Sequence, residues 1–311
     1  MRILVIGGTY FLGKVFLEFC DNGEHEFTML NRGTRELTCN KDGHIELIKA
    51  DRHDMEALKV LAGRRFDVIV DFCAYQQGDI ERILQAITDG NNANYVTITP
   101  SQYIFISTVD VYKRGTKDVL NEDSPLETRD FGGEEGSYIL GKAALEKELV
   151  QCAASYHMHS TSIRPSFIYG PDNYAPREGL FFFWTDKAGQ VILPENGGGN
   201  FQMVYVKDLA KAIVKCIGNK EVFDSALNIC GPGMMNYEWL VDCIEKAAGK
   251  RIERIYLPVK DILQKEIPLP FPLTNEESES YADSGRNKLG IPYTTFEDGL
   301  KETYLWYQRT V

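Results

Sequence analysis

An apolar run, Ile3–Ile6, stops abruptly at Gly7-Gly8-Thr9-Tyr10-Phe11-Leu12-Gly13, and apolar residues at helical spacing follow over Phe11–Cys20. Strand, glycine-rich turn and helix in that order leave few folds open. Such a turn lets backbone amides and the positive end of a helix approach a pyrophosphate closely, because no side chain stands in the way. Read on its own, the cluster is equally an ordinary strand-to-helix turn. Its place directly after a buried strand favours the dinucleotide reading, with Gly7, Thr9, Tyr10, Phe11, Leu12 and Gly13 as contacts.

The pattern continues as alternating strands and helices. Further strands are predicted at Glu26–Leu30, Ile45–Ile48, Val68–Val70, Tyr103–Ser107 and Ser160–Ile163. Helices are predicted at Met55–Leu61, Ile80–Ile87 and Tyr138–Ala153. This is the signature of a doubly wound α/β chain on a parallel sheet. Beyond residue 170 the alternation weakens. Gly197–Gly199 and Pro268, Pro270 and Pro272 mark loops, while Val206–Gly218, Tyr237–Ala248 and Glu297–Tyr307 read as helices. The expected division is a cofactor half over 1–170, rejoined by segments near 203–232, and a mainly substrate-binding half over 171–311. The acidic run Glu276, Glu277 and Glu279 reads as solvated surface.

Composition narrows the partners. The 311 residues carry 34 basic and 45 acidic side chains, a net charge of −11, which disfavours nucleic acid. No apolar run reaches the roughly 18 residues of a membrane helix. Seven scattered cysteines, Cys20, Cys39, Cys73, Cys152, Cys216, Cys230 and Cys243, show no CxxC pair. A zinc site or disulfide framework is therefore not expected, and reduced thiols in a cytoplasmic protein are. MRILVIGG runs straight into a strand without the architecture of a secretion signal.

The strand ends carry the remaining cofactor candidates. Where an acid would bind the ribose 2′-hydroxyl of NAD, the chain has Asn31-Arg32, with Arg35 close behind. A guanidinium suits a 2′-phosphate, so NADP is favoured over NAD. Asp51 can accept from an adenine amino group and Arg52 can stack on the ring, whereas Asp54 fits as the cap of the next helix. Phe72, Cys73 and Ala74 follow the fourth strand, where small residues let backbone pass beside a cofactor.

A Tyr-x-x-x-Lys spacing occurs three times, and in a chain with 16 tyrosines chance supplies such spacings. Context separates them. Tyr10/Lys14 lies in the glycine turn, and Pro258 interrupts Tyr256/Lys260. Tyr138/Lys142 opens a long helix, where i and i+4 share a face. Free tyrosine, with a pKa of roughly 10, is a poor base, and a nearby ammonium favours the phenolate. Thr108, beside Ser107 at the fifth strand's end, would add a hydroxyl to the substrate oxygen.

These motifs, with Val111-Tyr112, Arg164-Pro165…Tyr169-Gly170-Pro171, Val206-Lys207-Asp208-Leu209-Ala210 and Leu289-Gly290…Trp306-Tyr307, resemble extended short-chain dehydrogenases/reductases of the NAD-dependent epimerase/dehydratase family over nearly the whole chain. Asn31-Arg32-Gly33, Asp51-Arg52 and 62–67 look like a branch labelled isoflavone-reductase-like or related to chloroplast stem-loop-binding proteins. The resemblance implies a Rossmann-type doubly wound sheet with a smaller C-terminal substrate domain. It implies catalysis by Tyr138, Lys142 and Thr108, with Ser107, Pro165 and Ser166 beside the nicotinamide. A nucleotide-activated sugar is the implied substrate, contacted by Asp110, Asn173, Arg177 and Phe181, and a homodimer is usual. Dehydratases of this family carry Asp-Glu directly after the threonine. Val109-Asp110 here ranks epimerase or reductase above dehydratase. A reductase of a small carbonyl or aromatic compound and a non-catalytic dinucleotide- or RNA-binding protein are the alternatives.

Overall fold

A computed structural model describes residues 1–20, 24–35, 45–89, 99–116 and 118–310. The sequence element Cys39 lies outside the described residues. The strands are β1 (Arg2–Ile6), β2 (Glu26–Asn31), β3 (Ile45–Lys49), β4 (Val68–Asp71), β5 (Gln102–Ile106), β6 (His159–Pro165), β7 (Phe167–Tyr169), β8 (Gln190–Pro194), β9 (Met203–Tyr205), β10 (Ser225–Ile229) and β11 (Glu253–Leu257). The helices are α1 (Phe11–Cys20), α2 (Met55–Leu58), α3 (Asp79–Thr88), α4 (Gly133–Tyr156), α5 (Glu178–Lys187), α6 (Val206–Cys216), α7 (Tyr237–Ala248), α8 (Val259–Gln264), α9 (Ser284–Leu289) and α10 (Phe296–Thr310).

Seven strands form one parallel sheet in the order β10-β6-β5-β4-β1-β2-β3. The two-residue period of β1 shows why both faces must be covered. Ile3 and Val5 enter one apolar core with Phe16 of α1 and Leu209 of α6. Leu4 and Ile6 enter the other with Ile80 and Ile83 of α3 and Leu145 of α4. The chain order reverses between β4 and β1, so their carboxyl ends leave a crevice at a topological switch point.

Two short parallel pairs, β7–β9 and β8–β11, build the other side of that crevice. Phe201 stacks on Phe271 at 3.9 Å there, and the Tyr237 hydroxyl donates to the Phe271 carbonyl at 2.6 Å. Asp54 caps α2 as expected, accepting from the amides of Glu56 and Ala57. The long helix differs from expectation. It begins at Gly133, so Tyr138 sits in its second turn rather than opening it. All six described cysteines are free thiols.

Candidate active site

The glycine turn closes β1 onto α1. Gly7 and Gly8 have φ of +85° and +91°, which L side chains rarely adopt. A Cβ on Gly13 would lie 2.3 Å from the Gly8 Cα, so α1 can pack this tightly only on glycine. This cradle opens into a cleft of about 1540 Å³. That exceeds the roughly 300–1000 Å³ of a pocket for one small ligand. Every turn residue from Gly7 to Gly13 lines it. Tyr10 is 37% exposed and stacks on Tyr174 with ring centroids 4.5 Å apart. The Arg35 guanidinium lies 3.6 Å from the Tyr10 ring centroid.

The ends of β2 and β3 reach the same cleft through Asn31, Arg32, Asp51 and Arg52. Asn31 Oδ1 accepts the Gly33 amide at 2.8 Å and so shapes the turn that presents Arg32. Asp51 accepts the His53 amide, which holds its carboxyl below the usual range, and the nearby Arg32 charge adds to this. Arg52 departs from the expected stacking role. Its guanidinium turns inward and donates to both carboxylate oxygens of buried Asp71, at 3.1 and 2.8 Å, and to the Asp79 carbonyl. Burial works against this charge, but Asp71 outweighs it and keeps Arg52 firmly protonated. Asp71 also accepts from the Tyr103 hydroxyl at 2.6 Å and the Cys73 amide at 2.9 Å. The sequence hint was a charge ending an apolar strand, and the expected list did not include Asp71.

The ends of β4, β5 and β6 meet α4. Lys142 is 3% exposed and donates to the carbonyls of Ala74 and Ile106 at 2.9 and 2.8 Å. Burial lowers its pKa to about 8, against the pull of the Asp71 charge. Its ammonium lies 5.8 Å from the Tyr138 ring centroid and 4.6 Å from that of Tyr75, another cleft residue absent from the sequence expectations. The expected lowering of Tyr138 is not found. Burial pushes its phenol up, and the Asp110 and Tyr75 charges add to this. Hydrogen bonding with Thr108 and the charge of Arg177 act in the opposite direction. Tyr138 is nonetheless 38% exposed, so water at the cleft mouth moderates this rise. The Thr108 hydroxyl donates to Asp110 Oδ2 at 2.9 Å. Ser107 Oγ is buried and finds no partner among the described residues, while lining the cleft.

Phe72, Cys73, Pro165 and Ser166 line this region, as do Asp110 and Arg177. Arg177 donates to the Ile168 carbonyl at 3.2 Å. Three expected contacts lie elsewhere. Ala74 is fully buried and contributes only its carbonyl to Lys142. Phe181 is fully buried in the core against Trp184 and Tyr237, because it faces inward from α5. Asn173 spends its amide on both oxygens of buried Glu178, at 3.0 Å each. Arg164 turns from the nicotinamide side into an ion pair with Glu146. In the acidic run Glu276 and Glu277 are exposed as expected, and only Glu279 is partly buried. Glu276, Glu277 and Glu279 line the cleft, and burial raises the Glu279 carboxyl. Glu279 accepts from the Tyr281 hydroxyl at 2.8 Å.

The residues present fit a dinucleotide: a glycine cradle that a Cβ would fill, strand-end polar groups and an unpartnered buried hydroxyl. Among solved structures, the chain is similar to a dTDP-glucose 4,6-dehydratase of Bacillus anthracis in complex with NAD. They are 21% identical with a TM-score of 0.77, covering 100% of this chain and 97% of that one. A UDP-glucose 4-epimerase of Thermotoga maritima with UDP-glucose is 17% identical with a TM-score of 0.78, covering 100% and 99%. At these identities the likeness establishes the fold. Among curated relatives, the chloroplast stem-loop binding protein of 41 kDa b of Arabidopsis thaliana is 28% identical over 97% of this chain and 78% of its own length. The phenylcoumaran benzylic ether reductase TP7 of Nicotiana tabacum is 25% identical, covering 96% and 97%. The model of the NAD dependent epimerase/dehydratase family matches residues 3–230. The chain belongs to the NAD-dependent epimerase/dehydratase family.

Proposed function

We propose that this protein is an NAD(P)-dependent oxidoreductase that interconverts an alcohol and a carbonyl on a nucleotide-activated sugar, as an epimerase. The observation that carries the reading is the set Tyr138, Lys142 and Thr108, drawn from α4 and the end of β5 to the floor of a cleft that begins at a glycine cradle. A nicotinamide dinucleotide, when bound, supplies two-electron oxidation and reduction at the carbinol carbon. Its pyrophosphate suits the amides of Gly7–Gly13, and Asp51 and Arg32 suit the adenosine end. Tyr138 gives a proton to a carbonyl oxygen and, in the reverse direction, takes the hydroxyl proton. Thr108 positions that oxygen, and Lys142 supports Tyr138 and the nicotinamide ribose. Val109, buried behind Thr108, leaves no second acid beside Asp110 in the segment that follows Thr108, which favours epimerisation over elimination.

A second reading is an NADPH-dependent reductase of a small carbonyl or aromatic compound. Arg32 and Arg35 at the cleft edge favour NADP, and the tobacco relative is named a reductase. Arg32→Asp should weaken NADPH binding roughly tenfold or more while sparing NADH, given the strength of charge-assisted phosphate contacts. Equal native affinity for both dinucleotides would remove the preference. The deciding experiment is mass spectrometry of a denaturing extract of purified protein. A co-purified dinucleotide with a UDP- or dTDP-sugar supports the epimerase, and dinucleotide that exchanges during turnover supports the reductase.

A further inference from the structure

The segment 170–177 leaves β7 and crosses towards α1. Its root is rigid. The amide of Gly170 and Nδ2 of Asn173 both donate to Glu178, which is 1% exposed. Asn173 Oδ1 accepts the Ala175 amide at 3.0 Å, and the Asn173 amide reaches the Gly170 carbonyl at 3.2 Å. Asp172 is held at φ +66°, a conformation that only surrounding contacts sustain in a residue with a side chain. Its tip docks on the glycine turn at two points. Asp172 accepts from Lys14 of α1 at 2.8 Å. Tyr174 stacks on Tyr10 at 4.5 Å and meets Phe11 edge-on at 6.1 Å. Arg35, at the end of β2, packs on the same Tyr10 ring. Tyr10, Phe11, Arg35, Tyr174 and Ala175 all line the cleft.

We infer that segment 170–177 is a strap latched over the pyrophosphate cradle, with Tyr10 as its catch, so that a dinucleotide leaves only when the strap opens. The inference rests on the reading that the cradle takes a dinucleotide. It gives Tyr10 a physical role in the turn. A glycine would give Tyr174 nothing to stack on and Arg35 no ring. Stacked aromatic pairs contribute beyond their buried area, and the partly buried Lys14–Asp172 pair adds a second latch. The strap acts on both rates, because its latch contacts are already made without the dinucleotide, so that entry and release each wait on the open minor state.

Stopped-flow displacement of NADPH by excess NADP, followed by nicotinamide fluorescence, tests this. Tyr174 is 61% exposed, so its replacement does not open the core. Tyr174→Ala and Tyr10→Gly should each speed NADPH release about tenfold and entry by a similar factor. Tyr174→Phe keeps the ring and should release at the native rate. Asp172→Asn should fall between. Hydrogen exchange on the dinucleotide-free protein gives an independent readout. Amides of 171–176 should be protected in the native chain and exchange faster in Tyr174→Ala. Equal release rates in native and Tyr174→Ala protein, or equal exchange, overturn the strap while leaving dinucleotide binding intact. A native chain that binds neither NADPH nor NADH removes the cofactor reading, and the strap with it.

Discussion

At the scale of single residues, burial favours the neutral form of both Tyr138 and Lys142, and so moves their proton affinities in opposite directions. The Tyr138 phenol is kept neutral by burial, with negative charge at Asp110 nearby. Removing only its hydroxyl, as Tyr138→Phe, keeps the ring that packs near Tyr75 at 6.4 Å. Turnover should fall by about two to four orders of magnitude, the usual size of a lost general acid or base, with dinucleotide affinity changed less than about tenfold. Full activity in this variant would refute the catalytic role. Lys142 loses its proton near pH 8, because burial disfavours the ammonium. Dinucleotide affinity should therefore weaken as pH rises through about 8, and Lys142→Met should flatten that profile in a fluorescence titration. The same shift acts oppositely on folding. Between about 8 and the unfolded value near roughly 10.4, the unfolded chain binds a proton that the folded chain has lost, so this group favours folding increasingly as pH rises through that window. Below about 8 both states carry the proton, and the cost of burying it is present in full.

At the scale of elements, the sheet owes its stability to connections that no local pattern announces. Helix α3 follows Gly78, held at φ +89°, and has no side-chain cap of its own. Glu148, one face of α4 and 7% exposed, caps it instead, accepting from the amides of Gly78 at 2.5 Å, Ile80 at 3.0 Å and Glu81 at 2.9 Å. Its negative charge also sits at the positive end of α3. Glu148→Ala leaves these donors buried and should destabilise the fold by about 2–4 kcal/mol, read as a lower urea midpoint at unchanged slope. A loss below about 0.5 kcal/mol would show that water replaces the cap. The legible elements are those whose periodicity is long or clean. β1, α1, α3, α6 and α7 lie where apolar spacing places them, and Asp54 caps α2. β7 and β9 span three residues each, too few for a period of two to register. The glycine turn and the Tyr138/Lys142 pair, which line the cleft, could be singled out because their context along the chain, not spacing alone, marks them. Tyr75, Tyr174 and Glu279 in the cleft, and Asp71 buried beneath Arg52, were not, because each takes its place only through contacts between distant parts of the chain. Phe181 and Asn173 fail for the same reason. A position beside a motif does not say which way a side chain faces.

At the scale of the whole molecule, charge and cleft decide between an enzyme and a nucleic-acid binder. The Arabidopsis relative is named for stem-loop binding, and this chain spans 78% of its length. Affinity for a nucleic acid comes largely from protein cations that neutralise phosphates and release their condensed counterions. Here 45 acidic side chains face 34 basic ones. Several cleft arginines are already committed: Arg52 to Asp71, Arg114 to Glu135 at 2.7 Å and Arg129 to Glu127 at 2.7 Å. Glu127 is so well held by Arg129 and by backbone amides that its carboxyl stays far below the ordinary range, so Arg129 is not freed by mild acid. Glu276, Glu277 and Glu279 add negative charge to the substrate side of the cleft. The cleft mouth carries both signs of charge and its committed arginines offer a polyanion little free cation, while a single dinucleotide can reach the neutral amides of the glycine cradle and the exposed Arg32. Fluorescence anisotropy with a labelled stem-loop RNA should accordingly show no saturable binding near physiological salt, and any binding at low salt should be insensitive to saturating NADPH. Binding that weakens with salt along a log–log slope steeper than about −3 would mean several phosphates are neutralised. If NADPH also displaced that RNA, the cleft itself would be the binding surface, and the enzyme reading would give way to the binding protein.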